Sequence, residues 1–269
     1  MLTKKSRCFS GLLFLALAVT VSCNLSDDQS GLFSEPERYK LGEFTADGVT
    51  VAAYSEAPLD MGFHHIYFEV HEDGALLDRP EITFTTMMHM ENHSHASPHQ
   101  NPSAERDPDA GLFRGWAIFT MPSGMMGSWE LIVSVRDPDA DGREVEGVID
   151  IEIEESARVR TFMADSGQRY VLTLVQPKNP RTGLNDLVVT LHQRESMMHF
   201  PPVKTALFDF EPWMPSMDHG SSNNVDPVHD SDGFYHGKVN FSMTGDWELR
   251  FDIHREDEHL GEFVFALDF

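Results

Sequence analysis

Apolar and polar residues alternate along most of this chain with a period of two. Ile66, Phe68 and Val70 alternate with Tyr67, Glu69 and His71. Trp247, Leu249, Phe251 and Ile253 alternate with Glu248, Arg250 and Asp252, and Phe263, Phe265, Leu267 and Phe269 repeat the pattern. Runs of roughly 6–8 such residues, broken by Gly, Pro and Asp, predict strands with one buried face. No long segment outside an apolar run near the N-terminus carries the 3.6-residue period of a helix. The chain is therefore predicted to be all-β.

The pattern occurs twice. Gly62, Ile66 and His71 recur as Gly183, Leu187 and His192 at one offset of 121 residues. Gly111 and Met121 recur as Gly233 and Met243, while Gly127-Ser-Trp129-Glu-Leu131 recurs as Gly245-Asp-Trp247-Glu-Leu249. Extra residues in the stretch Pro122–Met126 absorb the change of offset between these blocks. Units of about 110 residues with several short strands have the size of a β-sandwich. The expected architecture is two tandem immunoglobulin-like β-sandwich domains, over 43–155 and 156–269.

A different signal precedes them. Lys4, Lys5 and Arg7 lead into an apolar run from Gly11 to Val21, followed by Ser22 and Cys23. A basic start, a short apolar stretch and small residues describe a secretory signal. The run is shorter than the roughly 20 residues a spanning helix needs. Thr20-Val21-Ser22-Cys23 resembles a bacterial lipobox, which implies a signal peptide over 1–22 and a lipidated Cys23. Polar residues then predict a flexible tether over 23–42. Asn24, by resemblance to lipoprotein sorting, points to the outer membrane of a cell envelope, facing the periplasm or the cell surface.

Composition removes several function classes. The 44 acidic residues against 20 basic ones give a net charge of −24, which repels phosphate backbones and excludes nucleic-acid binding. Cys8 and Cys23 are the only cysteines, so the body of the chain has no disulfide framework, thiolate zinc site or cysteine nucleophile. No Gly-x-Ser-x-Gly, phosphate loop or His-Glu-x-x-His occurs, and no enzyme is expected. Asp137-Pro-Asp139-Ala-Asp141-Gly142 imitates a calcium loop, but Val148 stands where the twelfth-position Glu belongs. That segment reads as a hairpin turn.

The unusual chemistry lies in 14 Met and 14 His, many of them clustered. One loop reads Met87-Met88-His89-Met90-Glu91-Asn92-His93-Ser94-His95, and the equivalent loop of the second copy reads Trp213-Met214-Pro215-Ser216-Met217-Asp218-His219. Thioethers are soft ligands that suit Cu(I), while imidazole accepts copper or zinc. Met-x-x-Met-x-His brings three such ligands within one turn at Met214, Met217 and His219. In the first copy Met87, Met90 and His93 come near that spacing, and another register pairs Met88 with His93. The candidate ligands are thus Met214, Met217, His219, Met87, Met88, His89, Met90, His93 and His95. Their Pro, Ser, Asn and Asp neighbours predict exposed loops. Trp213 is placed to cap an ion through its ring face. Met121 and Met243 share strand parity with Phe119 and Phe241 and are expected in the cores.

Pro212-Trp-Met-Pro-Ser-Met-Asp-His219, followed by Asp232-Gly-Phe-Tyr-His-Gly237 and Gly245-Asp-Trp247-Glu-Leu249, resembles the YtkA/FixH-like extracytoplasmic domains. Those share a Met-Pro-x-Met-x-His loop, a Gly-x-Tyr-x-Gly strand and a Gly-x-Trp-x-Leu strand. The resemblance covers most of 168–269 and, more loosely, 45–155, where Pro215 has no counterpart. It implies an immunoglobulin-like sandwich, ligands at Met214, Met217 and His219, and a role in copper handling or cytochrome oxidase maturation. A lipid-anchored protein that captures, buffers or delivers copper follows from it, with an envelope copper protein or an oxidase assembly component as partner. A second class of function is an interaction module that binds a protein or glycan, with Trp213, Phe200 and Phe210 as anchors.

Overall fold

A computed structural model describes residues 38–138 and 143–269. Cys23, the signal and most of the expected tether lie outside the described residues, as does the middle of the 137–142 turn. The end of the expected tether is not a tether. It forms β1 (Tyr39–Ala46), because Leu41 and Phe44 find the first core and pack against it.

The first sandwich continues with β2 (Val49–Ser55), β3 (Leu59–Asp60), β4 (Gly62–Glu72), β5 (Ala75–Leu76) and β6 (Glu81–His89). Then come β7 (Ser94–His95), β8 (His99–Gln100), β9 (Phe113–Phe119), β10 (Ser128–Arg136), β11 (Glu144–Ile151) and β12 (Ile153–Glu154). One sheet has the order β1-β2-β4-β9-β8, with β5 beside β4, and the facing sheet has the order β11-β10-β6-β7. The second sandwich contains β13 (Val159–Met163), β14 (Arg169–Gln176), β15 (Gly183–Arg194), β16 (Ala206–Met214) and β17 (His219–Gly220). It ends with β18 (Val225–Ser231), β19 (Phe234–Phe241), β20 (Asp246–Arg255) and β21 (Glu258–Asp268). Its sheets are β13-β14-β15-β19-β18 and β17-β16-β20-β21. The two copies share one strand order, with β3, β5 and β12 added in the first, and no helix occurs among the described residues.

Each copy encloses its own core. Phe68, Phe113, Phe119 and Trp129 fill the first, and Tyr235, Phe241, Trp247 and Phe251 fill the second. Each such side chain, fully buried, contributes roughly 1.5–3 kcal/mol before entropy is counted. The alternation that fixes these cores holds cleanly in β10 and β20.

It fails in β14, where every residue from Tyr170 to Val175 is buried. The cause is a third apolar cluster between the copies. Phe63, Trp116 and Ile118 of the first copy pack there with Val159, Val171, Val175 and Val188 of the second. Phe234 meets Phe63 and Trp116 edge-on, at centroid distances of 5.5 and 5.6 Å. The outer faces of the two five-strand sheets thus cover each other. The connection is equally tight: the Arg158 guanidinium donates to the carbonyls of Leu174, Val175 and Pro177. A backbone bond, Ala96 N–H to Met197 O at 2.8 Å, joins the copies elsewhere. Burying both faces of strands that still carry polar side chains has a cost. His192, 2% exposed and 5.6 Å from the Trp116 ring, leaves Nδ1 without a hydrogen-bonding protein group. Burial pulls its pKa down to about 3, because the charged ring loses its hydration.

Candidate metal centres

The inward parity of β6 runs through Ile82, Phe84, Thr86 and Met88, so the Met88 side chain enters the core fully buried. A turn closed by Met90 N–H to His93 O (3.0 Å) returns the chain as β7, which sets His95 opposite Met88. His95 is 7% exposed. Its Nδ1 lies 2.8 Å from Ala96 O, and a carbonyl only accepts, so Nδ1 carries the proton. The lone pair of Nε2 then points at Met121 Sδ, 3.4 Å away. Burial lowers the His95 pKa, opposed by the bond to Ala96 O and helped by the charges of Arg194 and His93, which favours the neutral ring. Trp129 stands edge-on to His95 at 5.8 Å and donates from Nε1 to Met121 O at 3.0 Å, which pins Met121 in place.

The second copy builds the same arrangement. The inward row of β16 ends at Met214, 2% exposed, and β17 sets His219 opposite it. His219 Nδ1 lies 2.7 Å from Gly220 O, which again leaves Nε2 as a free lone pair. Trp247 meets the His219 ring at 6.0 Å and donates from Nε1 to Met243 O at 3.0 Å. Met88, His95, Met121 and Trp129 therefore correspond to Met214, His219, Met243 and Trp247. In each copy a glycine in the left-handed region abuts the buried methionine. A Cβ on Gly127 would lie 2.9 Å from Met88 Cε and 2.0 Å from His89 O, and one on Gly245 would lie 2.5 Å from Met214 Cε.

Several expectations change here. The Met/His segments are not simply exposed loops, since period two carries Met88 and Met214 inward and the short return strands bury or half-bury the histidines. Met87 and His89 fall on the opposite face of β6, where Met87 opposes Glu130 and His89 lies between Glu130 (2.7 Å) and Ser94 (3.1 Å). Met90 packs on the first core, and His93 is exposed with its ring 6.4 Å from His95. Met88 opposes His95, two residues beyond the expected His93. Met217 is 57% exposed on the second turn, with its N–H 3.2 Å from Met214 O. Met121 packs at the core margin against His95, and Met243 is 40% exposed. Their shared strand parity hid this, because both lie two residues past the last strand residue, where parity no longer sets direction.

The aromatic residues differ as well. Trp213 points to the outer face with the Arg250 guanidinium over its ring at 5.0 Å, and the ring beside His219 is Trp247. Phe210 stacks on Phe251 at 5.0 Å, and Phe200 packs into the junction.

The surroundings of the two centres diverge. His95 and Met121 open on a cavity of about 300 Å³ whose far wall is Phe162, Arg169, Tyr170 and Arg194 of the second copy. At the other centre the turn holds Asp218, and Ser216 N–H donates to Asp246 at 3.2 Å. Arg255, which pairs with Ala206 at one end of β16, donates to Tyr170 of that cavity wall, while Trp213 pairs with Glu248 at the other end. The strand thus separates the second centre from the junction by about 25 Å, at 3.3 Å per residue. One ion cannot bridge both.

In chemical terms each centre offers an imidazole nitrogen and one or more thioethers beside an indole edge. The 3.4 Å between His95 Nε2 and Met121 Sδ is what an ion with bonds of about 2.0–2.3 Å spans. No carboxylate contributes, so a soft monovalent ion fits better than a hard divalent one.

No curated protein matches the chain. Among solved structures, the Escherichia coli adhesin FdeC is 11% identical, with 84% of this chain and 65% of that one covered and a TM-score of 0.27. Domains 5–6 of the S-layer protein SbsC are 6% identical over 86% of this chain and 99% of that one, with a TM-score of 0.29. A β-glucuronidase from Parabacteroides merdae is 13% identical over 83% and 25%, with a TM-score of 0.25. The chain thus spans about two thirds of the adhesin and a quarter of the glucuronidase. The resemblance carried by the Met-Pro-x-Met-x-His, Gly-x-Tyr-x-Gly and Gly-x-Trp-x-Leu motifs holds as a family match: residues 165–252, which include Met214, His219, Met243 and Trp247, match the YtkA-like family.

Proposed function

We propose that this protein is a lipid-anchored, extracytoplasmic copper-binding protein that holds Cu(I) at two separate Met/His centres and catalyses no reaction. One observation supports it above the rest. In both copies a backbone carbonyl holds the histidine proton on Nδ1, and in the first the freed Nε2 faces a thioether. Metal-binding histidines are oriented by this kind of second contact. The open centre at Met214, Met217 and His219 suits capture and transfer, while the covered centre at Met88, His95 and Met121 suits retention. An envelope copper protein or an oxidase assembly component is the recipient in this reading. The interaction-module alternative loses support because Trp213, Phe200 and Phe210 are already engaged within the fold.

Anaerobic Cu(I) titration of the full chain against a competing chelator tests the proposal. Two equivalents are expected. His219→Ala should remove the faster-exchanging one and His95→Ala the slower, each with an affinity loss of at least ~100-fold, or about 2.7 kcal/mol. Zn(II) should compete poorly, since thioethers are weak zinc ligands. Cu(I) binding that both variants leave intact refutes it. The anchor is tested separately. Cys23→Ser should move the protein from membranes to the soluble fraction, because stable anchoring needs the two acyl chains that this residue would carry.

A further inference from the structure

A second cluster of metal-ligating residue types lies on the β20–β21 hairpin. Asp252 and His254 are two residues apart on β20 and face outward, opposite to Phe251 and Ile253. The hairpin register places His259 of β21 across from His254. The two rings approach to 4.8 Å between centroids. Both Nε2 atoms aim at one carboxylate oxygen, Asp252 Oδ1, at 2.7 Å from His259 and 3.3 Å from His254. One ligand atom from each residue falls within 4.8 Å of the other two.

We infer that Asp252, His254 and His259 form a surface site for a divalent first-row cation such as Zn(II). Two imidazoles and a carboxylate are borderline ligands that suit Zn(II), Ni(II) or Cu(II), and no thioether favours Cu(I) here. A bound ion would replace the proton now shared between each ring and Oδ1, and water would complete its coordination. The backbone is set in advance by two paired strands, so binding orders only side-chain torsions. Glu262, opposite Asp252, adds negative charge that draws cations in. The site lies seven residues along β20 from Trp247, about 23 Å from the Met214 centre, so the two act independently. The first copy supplies a built-in contrast. Its corresponding positions are Ser134 and Arg136, and Arg136 pairs with Glu81.

The test is a Zn(II) titration of the full chain against a chromophoric chelator, run beside the His254→Ala/His259→Ala double variant and Asp252→Asn. All three side chains are 40–50% exposed, so thermal unfolding should be unchanged in each variant. The double variant should lose one Zn(II) equivalent by at least ~100-fold, and Asp252→Asn should weaken that equivalent about tenfold. In the wild-type protein, substoichiometric Ni(II) should broaden the ring signals of His254 and His259 before those of any other histidine. Unaltered Zn(II) stoichiometry and affinity in the double variant, or earlier broadening at other histidines, overturns the inference.

Discussion

The two Met/His centres hold the same four side chains (two Met, one His, one Trp) in the same topological place, yet they sit in different surroundings. The first is roofed by the second sandwich and faces Arg169 and Arg194 across a cavity. The second is open, with Met217 and Met243 at 57% and 40% exposure and with Asp218 and Asp246 nearby. Positive charge in a low-dielectric cavity opposes entry of a cation, and acidic residues beside an open turn favour it. Side-chain chemistry is thus shared between the copies while access and field are not. On the proposed copper-binding reading, duplication followed by docking yields a fast centre and a slow one from nearly the same side chains.

Trp116→Ala breaks this contrast most strongly. Trp116 is 9% exposed, packs beside Phe63 of its own copy and meets His192 and Phe234 across the junction. Its truncation should cost about 3–5 kcal/mol by chemical denaturation. It should also loosen the roof, so that the His95 centre releases Cu(I) at a rate approaching that of the His219 centre. An unchanged release rate at His95 would show that the junction does not govern access.

The glycine pair sharpens the contrast within the centres themselves. Gly127 and Gly245 both have φ near +140°, where an L side chain is strained. A methyl on Gly245 meets only the movable Met214 Cε, but one on Gly127 meets the His89 carbonyl oxygen at 2.0 Å. Gly127→Ala should therefore cost roughly 3 kcal/mol or more and Gly245→Ala roughly 1–2. Thermal melts of the two variants check the order, and equal losses would mean the two turns are equally pliable.

The smallest effect separates the junction from both cores by pH. His192 has a folded pKa of about 3 against about 6.5 in an unfolded chain. Between those values the unfolded chain binds the extra proton, so stability falls as pH drops from about 6.5 toward 3. At pH 5 the loss relative to pH 7.5 is about 2 kcal/mol. His192→Leu should flatten that part of the stability profile in urea titrations. His71, its counterpart by repeat offset, is about one-third exposed beside Glu69 and lies outside the junction. A profile unchanged by the substitution would place the acid-sensitive group elsewhere.

Much of this was legible before any coordinates. Period two gave β20 and the second half of β21 almost residue by residue, and the shared offsets gave a repeat that the strand orders of both copies reproduce. The Met/His loops were legible as a composition but not as a geometry. Met87 and Met88 are adjacent, and parity alone cannot say which faces inward until the pairing with Trp129 fixes it. Met121 and Met243 were hidden because their role begins one or two residues past the end of a regular strand. The junction escaped for a different reason: Tyr170 to Val175 is an apolar run, and a strand buried on both sides reads like any short apolar segment. The Asp252, His254 and His259 set had a signal in the hairpin spacing, but only the register turns two residues on one strand and one on the next into neighbours.

The double burial of β14 has a last consequence, for how freely the two copies can change. Every second side chain of β10 is partly or fully exposed and can be exchanged among polar types at little cost. From Tyr170 to Val175 no position offers that freedom. Its counterpart β2 keeps Thr50 and Tyr54 half exposed. Two strands with one ancestry and one place in the sheet order thus face unequal mutational constraint. With both faces covered, the second copy of this strand is expected to tolerate fewer substitutions.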